Sequence, residues 1–282
     1  MSQERFSPVL LAIMANRMDA VCREMTNTML LAARSSVIGM ARDFSCAVIT
    51  AEDEVLAVAE GFPIHVWGMN LQTRSVRELH PDLKEGDAFL HNDPYLGNTH
   101  PADHTLIVPV FYEGEHFFNA AVKAHQADIG NSLPTTYMAQ AGDVYEEGAL
   151  IFPAVKVQDD YEDVADVIRM CERRIRVPQQ WRGDYMAAVG AARIGERSLK
   201  AFVEKYGKET VRAFIREWFD YSERRCIEAI KKLPKGQFEE SQSHDPIEPW
   251  VPEGIPVKVK IDIDPDEAMV TVDLRDNIDC VD

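Results

Sequence analysis

Five of the eight histidines, His91, His100, His104, His116 and His125, fall between residues 91 and 125, with Asp93, Asp103 and Asp128 nearby. Imidazoles and carboxylates at that density form the donor set of zinc, manganese and iron sites that keep positions open for water or substrate. The tightest group is His100-Pro-Ala-Asp103, in a stretch too rich in Gly, Pro and Asn to be helical. A hairpin supplies the third ligand. Residues 105–112 and 116–124 read as strands on either side of Glu113-Gly114, a pair suited to a two-residue turn. Tyr112 then pairs with Glu115, and continuing that register sets Asp103 opposite Ala124 and Ala102 opposite His125. Facing residues of an antiparallel pair have Cα atoms ~4.5–5.5 Å apart. The open end of the hairpin is therefore expected to gather His100, Asp103 and His125 around one cation.

Asp43, beside another expected strand, is a candidate fourth oxygen ligand. His104 and Asp128 are alternative ligands, partners that hold a ligand imidazole in one tautomer, or groups that move a proton. The competing reading gives the clustered histidines no metal and makes them loop organisers. His65, His80 and His244 are read as structural. Other chemistry lacks its signature. Gly190-Ala-Ala-Arg-Ile-Gly195 has the glycine spacing of a phosphate loop but no lysine, and it sits inside an expected helix, where small residues serve packing. No dinucleotide fingerprint follows a strand, and there is no nucleophile elbow. Arg173-Arg174-Ile-Arg176 reads as a salt-bridging face.

The elements that must hold these residues alternate in type. Helices are predicted over residues 8–35, 69–79, 161–175, 178–206 and 208–233. Strands are predicted over 44–50, 55–58, 88–90, 149–152, 255–263 and 268–274, besides the hairpin, with a loop over 239–254. The class is α+β. An N-terminal helix and a β-rich metal-site region are expected over residues 1–158, a helical segment over 159–235, and the truncated start of a second β-rich domain over 236–282.

The formal net charge of −17 argues against nucleic acid or an anionic membrane as the main partner. No apolar run reaches the ~18–20 residues of a membrane span. The first residues lack the basic start and apolar block of a secretory signal, which places the expected location in the cytoplasm. Cys22, Cys46, Cys171, Cys226 and Cys280 are odd in number and form no CxxC pair, so reduced thiols are expected rather than a disulfide scaffold.

Asn92-Asp-Pro-Tyr-Leu-Gly-Asn-Thr-His-Pro-Ala-Asp-His104, Ala124-His-Gln-Ala-Asp-Ile-Gly130 and Asp143-Val-Tyr-Glu-Glu-Gly148 resemble the hydantoinase B/oxoprolinase family. So do Ile175-Arg-Val-Pro-x-x-Trp-x-Gly-Asp-Tyr185 and Asp273-Leu-Arg-Asp-Asn277. The resemblance runs over essentially the whole chain. It implies metal ligands at His100, Asp103 and His125, with Asp43 as an additional aspartate near the site. It also implies a component of an ATP-dependent cyclic-amide hydrolase (a hydantoinase, oxoprolinase or lactamase), or alternatively of an acetone- or acetophenone-type carboxylase that uses bicarbonate. The cofactors implied are zinc or manganese, or iron, in this chain, and ATP with Mg in a hydantoinase A-type partner. A non-catalytic structural subunit is the remaining alternative. Members usually continue beyond the point where this chain stops.

Overall fold

The computed structural model describes residues 6–59, 61–138, 140–248 and 251–279; Cys280 lies outside them. Ser7 accepts a hydrogen bond from Leu10 N and Pro8 occupies the first turn, which opens helix α1 (Pro8–Ala32). There follow α2 (Ser36–Gly39), β1 (Phe44–Thr50), β2 (Val55–Val58), α3 (Pro63–Val66), α4 (Met69–Leu79) and β3 (Ala88–His91). Then come the hairpin β4 (Asp103–Tyr112) and β5 (Glu115–His125), α5 (Val144–Glu147), β6 (Val155–Asp159) and β7 (Glu162–Asp163). The chain continues through α6 (Ala165–Arg174), α7 (Pro178–Tyr206), α8 (Lys208–Ile230), β8 (Gly236–His244), β9 (Ile255–Asp264) and β10 (Met269–Asp273). The class is α+β, as the element pattern predicts. Among the described residues no helix is long and apolar enough to cross a membrane.

Two compact units divide the chain, one of residues 1–138 with 144–215 and one of 139–143 with 216–282. In the first, seven antiparallel strands lie in the order β2-β1-β5-β4-β3-β6-β7. One face is covered by α1 and α7, which pack on each other as well as on β1, β4 and β5. Met14, Met18, Met25 and Met29 recur at helical spacing and are all buried, as a core-facing stripe must be. Gly195, from the phosphate-loop look-alike, is a point of close approach of α7 to α1 and the sheet. A Cβ there would lie 2.6 Å from Met25 Sδ and 3.2 Å from Ala120 Cβ, so that glycine serves packing. The other face packs Met69 and Val76 of α4 over Ala47, Ile49, Phe89, Ile107 and Ala121.

Three expected elements differ in the structure. Residues 149–152 form no strand; Phe152 N donates to Asn92 Oδ1 and Asn92 N to Phe152 O, so a side chain replaces a ladder, and the strand comes later as β6. The helix expected from 161 begins only at Ala165. Asp160 and Tyr161 take positive φ and turn the chain so that β7 pairs back on β6. In the second unit, a three-stranded sheet ordered β10-β9-β8, residues 236–244 are strand rather than loop. Acids and amides crowd β8, so no apolar alternation announces it; the ladder to β9, running from Gly236↔Ile263 to His244↔Ile255, defines it.

Candidate metal centre

Three rows of side chains cross the sheet face under α4, because residues two apart on a strand share a face. The apolar row is Phe89, Ile107, Ala121 and Ala47, each directly opposite the next. One step along lies a polar row of His91, Thr105, Lys123 and Ser45. A further step brings Asp103 of β4 opposite His125 of β5, while His125 N donates to Asp43 O just ahead of β1.

The register producing this last row departs from the one read from the turn. Glu113 and Gly114 both take positive φ and Tyr112 pairs with Glu115, as the two-residue turn requires. Between Val110 and Phe111 the ladder then slips, for Phe111 faces His116 while Val110 faces Phe118. Phe117 is the extra residue of a bulge. The slip moves Asp103 from Ala124 to His125, and His104 takes the place opposite Ala124. The corrected pairing puts both ligand candidates on one face.

His100, Asp103 and His125 offer ligand atoms that all lie within 4.8 Å of one another. His125 Nδ1 is 3.1 Å from Asp103 Oδ1, and His100 Nδ1, buried and without a hydrogen-bond partner, is 3.5 Å from Asp103 Oδ2. Asp43 Oδ2 stands 4.0 Å from His125 Nδ1. His65, assigned a structural role above, belongs here too. Its Nε2 lies 3.3 Å from Asp43 Oδ1 and 3.6 Å from Asp103 Oδ1, and it is almost wholly buried. It comes from the four-residue helix α3, far from the other histidines in the chain, and no motif around it signals the role. The rings of His80 and His244 bond to the backbone carbonyls of Ala154 and Asp245.

Backbone carbonyls hold the ligand loop in shape. Asn98 Nδ2 donates to the carbonyls of Asn92, His100 and Asp103, and Gln72 of α4 donates to Asn98 Oδ1. Gly97 and Gly68 both have positive φ, and a Cβ on Gly68 would lie 2.1 Å from Gly97 O; only glycine permits α4 to start there. Burial raises the cost of charge on Asp103, yet hydrogen bonds with His125 and Thr99, with His100 and His65 near, hold its carboxyl below the usual range.

Thr136 fixes the state of His125. Its Oγ1 donates to Gln126 O at 2.6 Å and lies 2.6 Å from His125 Nε2. With the hydroxyl proton on Gln126 O, Nε2 can donate to Oγ1, and in that tautomer Nδ1 would offer its lone pair to a cation in place of its hydrogen bond to Asp103. Removing this hydroxyl (Thr136→Val) is expected to weaken divalent-metal affinity by roughly 10–100-fold, the usual cost of losing such a partner. Competition with a chromogenic chelator measures this, and unchanged affinity would refute the assignment.

Neither His104 nor Asp128 joins the group. His104 projects to the opposite sheet face, where its ring stands edge-on to Phe152, and burial pushes its pKa down to about 3. Asp128 caps Gly130 N and binds Arg176 through backbone and guanidinium, so that the arginine run fastens a loop. Two imidazoles, one buried carboxylate and a second carboxylate at the rim, with His100 Nδ1 lacking a hydrogen-bond partner among the described residues, fit a divalent cation with open positions. The rim is open beside His100, whose ring stacks on the exposed Tyr137.

A family model described as hydantoinase B/oxoprolinase matches residues 7–282. Caprolactamase subunit beta of Pseudomonas jessenii is 33% identical over 232 residues, which is 82% of this chain and 40% of that protein. The crystal structure of ATP-dependent caprolactamase from Pseudomonas jessenii superposes with a TM-score of 0.87 at 30% identity, covering 95% of this chain and 46% of that one. A nucleotide-free acetone carboxylase structure superposes with a TM-score of 0.84 at 21% identity, over 96% of this chain and 37% of that one, a likeness of fold alone. The chain spans less than half the length of these relatives.

Proposed function

The chain belongs to the hydantoinase B/oxoprolinase family, and on that premise we propose that it carries the metal centre of an ATP-dependent enzyme that hydrolyses cyclic amides. The observation that carries this reading is the convergence of His100, Asp103 and His125, with ligand atoms within 4.8 Å of one another. These three would hold the ion, zinc or manganese by donor chemistry, and Asp43 would add an oxygen. When bound, the cation supplies a Lewis acid that makes water acidic enough to furnish hydroxide near neutral pH.

A lactam or hydantoin carbonyl is a poor electrophile. A hydantoinase A-type partner would spend ATP to phosphorylate the carbonyl oxygen, turning it into a leaving group. The part left to this chain is to place water against the activated carbon and exclude other geometries. Asp103 and Thr136 bracket the His125 ring and keep it in one orientation. His65 Nε2, between Asp43 and Asp103, is placed to take the proton that attacking water sheds, a role that His104 and Asp128, engaged elsewhere, cannot fill. A complex of this kind draws on cytoplasmic ATP, so we place it there.

The test is ATP-dependent turnover of a lactam and a hydantoin by the complex of this chain with its ATP-binding partner. Activity should vanish on chelation and return with zinc or manganese; turnover indifferent to chelation defeats the proposal. Labelled bicarbonate appearing in product would move the enzyme to the carboxylases. A chain that never retains metal, with a His100→Ala complex as active as wild type, would leave it a structural subunit.

A further inference from the structure

Two consecutive residues on one segment meet the two candidate ligand imidazoles. Thr136 lies against His125 Nε2, and the ring of Tyr137 stacks on that of His100, with centroids 6.0 Å apart and planes 28° from parallel. His100 needs such a partner more than His125 does. His125 closes strand β5 and is hydrogen-bonded through both ring nitrogens. His100 sits on a loop, and its ring makes no hydrogen bond among the described residues. Two other rings bracket it instead. Tyr137 stacks on it, and the His125 ring stands edge-on with centroids 4.9 Å apart.

A half-exposed surface aromatic is unremarkable by itself. The segment that carries Tyr137, however, is fastened along its length. Asn131 Nδ2 donates to Thr135 O, Thr135 Oγ1 to Tyr137 O, Thr136 Oγ1 to Gln126 O and Met138 N to Glu147 Oε1. The Tyr137 hydroxyl makes no hydrogen bond among the described residues, so the ring makes the contact and the oxygen does not.

We propose that Tyr137 is a positioning residue of the metal centre, whose ring holds the His100 imidazole in the orientation at which it meets the cation. The inference rests on the metal reading above and adds to it a residue that donates no atom to the ion. Rings with centroids ~4.5–7 Å apart attract when offset or tilted, and the contact replaces the hydrogen bond that usually orients a ligand imidazole. Without it, the loop-borne side chain must be ordered by the metal alone, at an entropic cost that lowers affinity. Linkage makes the effect reciprocal: the affinity that the segment lends the cation is returned as order in residues 131–138 when the cation binds.

The experiment compares the full wild-type chain with Y137F and Y137L. Zn2+ affinity is read by competition with a chromogenic chelator, and the order of residues 131–138 by backbone hydrogen exchange with and without Zn2+. Y137L should bind Zn2+ about five- to tenfold more weakly, while Y137F, which keeps the ring, should stay within about twofold of wild type. Zn2+ should slow exchange over residues 131–138 in wild type and Y137F, and less so in Y137L. A uniform loss of stability would not give that local, metal-dependent difference. Should Y137L fail to fold, Y137A makes the same comparison. Equal Zn2+ affinity in wild type and Y137L overturns the inference and leaves the metal centre standing. Y137F behaving like Y137L overturns it too, since the hydroxyl and not the ring would then matter. A wild-type chain that takes up no Zn2+ is a separate result: it removes the metal centre, and this inference with it.

Discussion

Replacing Asp103 by alanine is expected to leave the purified chain without retained metal and the assembled complex without activity. Asp103 is the hub of the ligand row. One carboxylate oxygen meets His125 Nδ1 and lies near His65, and the other accepts from Thr99 and faces His100. Its loss would remove one candidate ligand and free two others. The several kcal/mol that a metal contributes to an attacked carbonyl correspond to a fall of roughly 10³-fold in kcat/KM. The variant also loses the hydrogen bonds to His125 and Thr99, so its urea midpoint is measured beside its metal content. Asp103→Asn keeps the shape and separates charge from geometry; it too should lose metal. Asp128→Asn is the control, since that residue serves Arg176 and Gly130, and it should retain full metal content. Elemental analysis of the three proteins decides the matter, and stoichiometric metal in Asp103→Ala would remove the basis of the proposed function.

The second large effect concerns acid. Burial pushes His104 down to about 3 and His91 down to about 4, from an ordinary 6.5. Both pKa values are depressed in the folded state. The stability they represent is therefore complete above pH 6.5 and is lost as pH falls from there towards 4, because only the unfolded chain takes up those protons. Two such groups steepen the loss to as much as about 2.7 kcal/mol per pH unit. Two pH units then remove about as much as the whole net stability of a modest domain. Urea unfolding of the metal-free chain at pH 7.5, 6 and 5 should show a plateau and then a steep fall. His104→Leu should lower the slope below pH 6 by up to about 1.4 kcal/mol per pH unit, with the buried His91, His65 and His116 keeping the rest. Constant stability down to pH 5 would show that these imidazoles are not buried as neutral groups.

The limits of sequence reading are clearest at the hairpin. The Glu113-Gly114 turn is legible because Gly114 takes positive φ without cost between two apolar runs, although Glu113 must adopt it as well, and the turn placed the three ligand candidates at one end of two strands. The bulge at Phe117 is not legible. Several aromatic and apolar residues sit in a row there, and nothing local says which is extra. The choice follows from how Phe118 and Val110 fill the core, and both are fully buried. That one-residue slip makes Asp103 and His125 a facing pair. His65 escaped notice for a related reason: helix α3 has four residues and no periodicity, and it matters only because the chain folds back beside Asp43. Strand β8 carries no apolar alternation and exists through its partner.

Local chemistry determined a good deal unaided. The donor types, the turn, the long helices with their methionine stripe and the absence of a phosphate loop all depend on residues close together in the chain, where propensity and spacing act directly. The tertiary structure decided which donors share a face, and that His104 and Asp128 stand apart while His65 comes in. Those outcomes depend on register and packing between segments distant in sequence. A shift of one residue there reverses every side chain on a strand, and no local preference is strong enough to record it.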